Sequence, residues 1–102
     1  MACEIVWAFS VLPSQIKIFE SAYGPEGPWA RLFSSSPAFL DTRLLRDIDE
    51  AGRYLTIDRW SSMAAYEIFR QDHLDAYGAL DSACSPLFRE KRVVGAFHEN
   101  PS

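Results

Sequence analysis

Between Glu4 and Val11 the apolar positions do not alternate with polar ones. Ile5, Trp7, Phe9 and Val11 fall on one parity, Val6 and Ala8 on the other, and only Ser10 breaks the run. A strand with one wet face alternates, so this segment predicts a strand covered on both sides. Leu12-Pro13-Ser14 ends it and opens a helix with Ser14 as N-cap, whose Ile16, Phe19 and Tyr23 share a face. The run Gly24-Pro25-Glu26-Gly27-Pro28 stops that helix. Pro28 then starts a short second one through Trp29, Leu32 and Phe33, since proline is tolerated in a first turn. After a loop over 34–37, a strand over Phe39–Arg46 and another over Arg53–Arg59 flank the polar stretch Asp47–Gly52. So short a connection predicts an antiparallel hairpin. Trp60-Ser61-Ser62 ends the strand and caps a helix in which Tyr66, Phe69, His73, Tyr77, Leu80, Cys84 and Leu87 recur at three- and four-residue steps. That stripe predicts one continuous helix, kinked near Gly78 and closed by Pro86. A last strand over Arg92–Phe97 and a polar tail, His98–Ser102, complete the chain.

The order β, broken α, β, β, α, β predicts an α+β, ferredoxin-like domain: one four-stranded antiparallel sheet with its helices on one face. The helices cover one side only, yet the first strand is apolar on both. A second copy packed sheet to sheet, at about 10 Å, is the simplest cover, so the chain is expected to form a homodimer.

At 102 residues there is room for a single domain, spanning 1–102, and a chain this short gains from oligomerisation. Three Trp, four Tyr and seven Phe thicken a core or line a pocket. The net charge of −4 and the scattered Lys and Arg give no basic stripe, which argues against nucleic acid. No apolar run reaches the length of a membrane span. Cys3, near a terminus expected to be mobile, and Cys84, in the helical stripe, are far apart and lack metal spacing. They read as free structural thiols of a cytoplasmic protein.

Three stretches carry a resemblance over nearly the whole chain: Phe9–Phe19 (FSVLPSQIKIF), Pro37–Asp47 (PAFLDTRLLRD) and above all Arg53–Tyr66 (RYLTIDRWSSMAAY). In the last, a Trp closes the third strand and an aromatic follows six positions later on the helix. In these features the sequence resembles the antibiotic biosynthesis monooxygenase (ABM) domains of the dimeric α+β barrel superfamily. The resemblance implies paired ferredoxin-like subunits, each with a pocket between sheet and helices. The best-known members oxidise aromatic polyketides with O2 and without metal or flavin. Their functional set is an Asn four residues before the Trp, the Trp itself and the later Tyr. Trp60 and Tyr66 match, whereas the Asn position holds Thr56, and Phe69 stands where the family often has His.

Oxygenation without a cofactor needs a substrate that gives an electron to O2 after losing a proton, in a dry aromatic pocket with a hydrogen-bonding group for the resulting anion. On this reading Trp60 stacks on a flat substrate, while Tyr66 and Thr56 hydrogen-bond its oxyanion. Phe69, His73 and Tyr77 line the substrate site, with His73 as a candidate base or proton shuttle. The alternative for each is structural: Trp60 as a corner anchor, Tyr66 and Tyr77 as core residues with hydroxyls at the rim, His73 as a ring that satisfies a nearby backbone group or carboxylate or lies at the helix edge. Trp7 and Phe9 read as dimer or core packing, and Asp58 with Arg59 as a surface pair. No metal-ligand spacing, phosphate loop or nucleophile elbow is present, so neither metal nor cofactor is expected. Two functions remain open: a cofactor-independent monooxygenase of a planar phenolic or quinol-like molecule, and a non-catalytic dimeric module that binds a hydrophobic small molecule or serves another protein. Haem degradation and RNA binding, both known on this layout, lack their supporting residues here.

Overall fold

A computed structural model describes residues 1–101, so the last residue of the polar tail, Ser102, lies outside it. Four strands form one antiparallel sheet in the order β2-β3-β1-β4: β1 is Cys3–Val11, β2 Phe39–Arg46, β3 Arg53–Trp60 and β4 Phe88–Phe97. The helices are α1 (Ile16–Tyr23), α2 (Pro28–Phe33), α3 (Met63–Asp72) and α4 (Leu74–Cys84), with 3-10 turns at Pro13–Gln15 and Ser85–Leu87. This is the expected ferredoxin-like α+β arrangement.

Parity sorts the side chains. On β3, Tyr54, Thr56, Asp58 and Trp60 point to the helices and are buried, while Leu55 and Ile57 point to the other face and are half-buried. Trp60 therefore faces the helices. On β1, Ile5 and Phe9 join the core, in which Phe9 meets Phe19, Tyr23 and Phe88 at centroid distances of 4.9–5.3 Å. The opposite face carries Val6 paired with Ile57 and Ala8 paired with Leu55 at its centre.

Two backbone devices shape the sheet. Gly52 closes the β2–β3 turn at φ 87°, and its carbonyl accepts a 2.7 Å bond from Val11 N. A Cβ there would sit 2.8 Å from Val11 O, so only glycine fits. In β4, Val6 pairs with Gly95 and Trp7 with Val93, and the skipped Val94 forms a bulge at the second positive-φ glycine, Gly95.

Several expectations need correction. Ser14 caps no helix: Pro13 draws it into a 3-10 turn that begins after Leu12, and no side chain caps that turn. Cys3 is 1% exposed in β1, opposite Trp60, because the sheet already holds it. The last strand starts at Phe88, four residues before the expected Arg92, since Val11 pairs with Phe88 as soon as the turn containing Pro86 ends. The long helix is two helices, and the break is at His73 instead of Gly78. His73 leaves the helical region (φ −124°, ψ 30°), and both its backbone N–H and its ring Nδ1 reach the Phe69 carbonyl, at 3.0 and 2.9 Å. A side chain that takes the carbonyl of the preceding turn competes with the ladder continuing past it.

Candidate functional site

All four strands and three of the helices send side chains into one cavity between the sheet and the helices. Its walls are the rings of Trp7, Phe9, Tyr23, Trp29, Phe33 and Tyr77, and its polar lining is Thr42, Thr56, Asp58 and Lys91. The cavity volume is about 30 Å³, space for one or two waters. Of these ten side chains only Trp7, Tyr77 and Lys91 are incompletely buried, which marks the open side. There Lys91 lies over the Trp7 ring, 5.1 Å from its centroid, and donates to Asp81 Oδ1 at 2.6 Å.

The polar floor follows from sheet register. Thr56 and Asp58 share a face two positions apart on β3, and Thr42 lies directly across from Asp58 on β2. Thr42 Oγ1 donates to Asp58 Oδ1, while Oδ2 is left free of protein partners among the described residues. Burial without a paired cation pushes the Asp58 carboxyl up to about 6, against the opposing pull of the Thr42 hydrogen bond. Asp58 is thus no partner of Arg59. The two point to opposite faces, and Arg59 makes its ion pair with Asp41 at 2.7 Å.

Unused donors also belong to residues that line this space. Trp29 Nε1 and the Tyr23 hydroxyl are buried without a hydrogen-bond partner; Tyr23 lies near Trp29 and Cys84 but does not reach bonding geometry with either. Burial, foremost, raises the Tyr23 and Tyr77 hydroxyls above the ordinary tyrosine range, so both keep their protons at neutral pH.

The residues singled out in the sequence divide between cavity and packing. Thr56 and Tyr77 line the cavity. Tyr66 is one step removed, its hydroxyl 3.3 Å from that of Tyr77. Trp60 is fully buried and packs on Phe33, Phe39, Tyr66 and Phe69 at 5.1–5.5 Å, so Phe33 stands between it and the space. Phe69 belongs to the same cluster. His73 stacks on Phe69 with centroids 4.3 Å apart, and its Nε2 lies 3.5 Å from Ser35 Oγ. Neither Phe69 nor His73 lines the cavity. Trp7 and Phe9, expected as packing, line it, as does Asp58, expected as a surface residue; Tyr23, Trp29, Phe33, Thr42 and Lys91, which the sequence did not single out for a site, line it too. Parity alone pointed to Asp58, since it lies between Thr56 and Trp60 on their face of the strand. Among the described residues no three His, Cys, Asp or Glu side chains cluster as metal ligands, and no helix is long and apolar enough to cross a membrane.

Solved structures share this architecture. A variant of SnoaB, a cofactor-independent oxygenase from Streptomyces nogalater, superposes with a TM-score of 0.76 at 22% identity, over 99% of this chain and 95% of that one. A Bordetella bronchiseptica protein provisionally classed as an antibiotic biosynthesis monooxygenase gives 0.75 at 17%, over 97% of each chain. A conserved Methanosarcina mazei protein gives 0.73 at 10%, over 98% of this chain and 94% of that one. At such identities the likeness is one of fold. No curated protein sequence matches the chain. The sequence profile of the antibiotic biosynthesis monooxygenase family, however, matches residues 6–78, from the first strand to the helix that carries Tyr77. That stretch includes every wall of the cavity except Lys91, and the chain belongs to the antibiotic biosynthesis monooxygenase family.

Proposed function

We propose that this protein oxidises a planar phenolic or quinol-like molecule with O2, without metal or organic cofactor. The observation that carries this reading is the cavity: six aromatic rings around a short polar floor, closed on the helix side of the sheet. Such walls take a flat apolar ring and exclude the water that would quench an anion. Thr56, with one hydroxyl proton, and the Tyr77 hydroxyl are the donors for the oxygen on which charge develops. Tyr66 supports Tyr77 through their hydroxyl contact, and Trp60 fixes the wall behind Phe33. For an anthrone-type substrate the chemistry converts a ring CH2 to a carbonyl, consumes one O2 and releases one water. A hydroquinone, which has no such CH2, goes to its quinone as O2 takes up two electrons and two protons and leaves as H2O2. A volume of about 30 Å³ is too small for a ring system at rest, so binding requires Trp7 and Lys91, at the open side, to move.

The active form is a homodimer. The uncovered sheet face centres on the Val6–Ile57 and Ala8–Leu55 pairs, an apolar patch that a second copy buries. Two buried free thiols, Cys3 and Cys84, fit a reducing cytoplasm.

The test is oxygen uptake by metal-free protein with anthrone and substituted hydroquinones. Oxygen-dependent product above the uncatalysed rate is expected, falling by about 10²-fold in Thr56→Val through loss of one anion donor. Saturable binding of the same compounds without turnover points instead to a small-molecule-binding accessory module. Thr56 at the family's Asn position and the narrow cavity favour that second reading.

A further inference from the structure

We propose that Asp58, held on the cavity floor by Thr42, is the general base that takes the proton from an acidic ring C–H or phenolic O–H of the bound aromatic. This rests on the oxygenase reading and supplies the step that reading needs first. Three observations place the group. Asp58 is 9% exposed, lines the cavity, and has one oxygen engaged by Thr42 and the other unpartnered. A carboxylate built only for stability would be paired with a cation or saturated with donors. Asp58 has one neutral donor on the neighbouring strand and lines a cavity walled by six aromatic rings.

The groups that surround the site set its protonation. Tyr77 on α4 and Tyr23 on α1 are neutral hydroxyls. Lys91 on β4 is held by Asp81, and Arg70 on α3 lies over the Tyr77 ring at 5.1 Å. None forms an ion pair with Asp58. Burial raises the carboxyl towards neutrality, which makes it a stronger base than a surface aspartate and still leaves it mostly ionised at pH 7. In the step itself the substrate C–H bond breaks and its proton goes to Oδ2 of Asp58. The electron pair stays on the substrate, delocalised to its carbonyl oxygen as an enolate. O2 then oxidises this anion and bonds to the carbon. The resulting peroxide anion takes the proton back from Asp58 to give a hydroperoxide. Loss of the remaining proton on that carbon and cleavage of the O–O bond then release water and leave the carbonyl.

Proton transfer is separable from oxygenation. Under argon in D2O, exchange of the anthrone CH2 protons is followed by proton NMR with wild type, Asp58→Asn and Thr42→Val, and O2 uptake is recorded separately. The wild type is expected to accelerate exchange above buffer, and Asp58→Asn to lose at least about 10²-fold of that acceleration. Thr42→Val removes the bond that favours the charged form, so its pH–exchange midpoint should move upward while exchange persists. A purely structural Asp58 would leave that midpoint where it was. Exchange in Asp58→Asn equal to wild type, no acceleration by wild type, or an unmoved Thr42→Val midpoint each overturns the assignment. Should Asp58→Asn fail to fold, the Thr42→Val profile decides alone. Accelerated exchange without O2 uptake keeps Asp58 as the base and removes the oxygenase reading; O2 uptake without accelerated exchange does the reverse.

Discussion

At the scale of single residues the most informative side chain is the one the fold would be better off without. Asp58 has an ordinary value of 3.8 that rises to about 6 in the folded chain. A carboxyl raised on folding binds its proton more tightly in the native state, so stability falls as pH climbs from about 4 through 6. The full penalty is reached above that window and amounts to about 3 kcal/mol at about 1.4 kcal/mol per pH unit. Asn has nearly the same shape, can still accept from Thr42 and carries no charge. Asp58→Asn is therefore expected to be more stable than wild type by up to about 3 kcal/mol at pH 7.5 and equal to it near pH 3.5, as read by urea unfolding. An Asn variant that is less stable at pH 7.5 would mean that the ionised carboxylate holds the sheet together. The residue was hard to find in the sequence for a physical reason. A lone Asp beside an Arg at a strand end fits a surface pair, and only the parity shared with Thr56 argues otherwise. Thr56 and Trp60 were legible through the family pattern, but that pattern says nothing of the ring of Phe33 lying between Trp60 and the cavity.

At the scale of elements the β2–β3 hairpin is closely legible in the sequence, the helices and the start of β4 less so. Period-two parity and the Asp47–Gly52 turn fix β2 and β3 almost to the residue, since the Asp47 carboxylate accepts from both Asp49 N and Glu50 N, at 2.8 and 2.9 Å. The helical stripe from Tyr66 to Leu87 hides a break because its spacing runs on across it. Glycine seemed the natural place for a kink, yet Gly78 sits inside α4 with regular geometry, and the break belongs to the His73 side chain and its hold on the Phe69 carbonyl. Gly78 is exposed, has no positive φ, and a Cβ there would meet nothing within 4 Å. Gly78→Ala should thus add about 0.5–1 kcal/mol by restricting the unfolded chain and favouring helix, visible as a rise in Tm. A loss of stability would show that the α3–α4 junction uses the freedom of Gly78 after all.

At the scale of the molecule the two faces of the sheet have separate tasks. The helix side encloses a cavity that draws on every strand, so its geometry depends on the whole sheet being held flat against α1, α2 and α4. The other side shows Val6, Ala8, Leu55 and Ile57 at its centre, with Glu4, Arg53, Arg59 and Arg92 around them. The apolar odd and even positions of β1 make this face visible in the sequence. If its partner is a second copy across a two-fold axis, every substitution on the face appears twice in the interface. Ile57→Asp places two carboxylates in an apolar contact where burial of unpaired charge opposes them. Light scattering is expected to give close to twice 11.6 kDa for the wild type and 11.6 kDa for Ile57→Asp. Because Ile57 points away from the cavity, aromatic binding by the variant separates the two tasks. Retained binding in the monomer means each cavity is complete within one chain. Lost binding means the second sheet is needed to hold the first in shape. A wild type that is monomeric at micromolar concentration would leave the apolar face without its proposed cover.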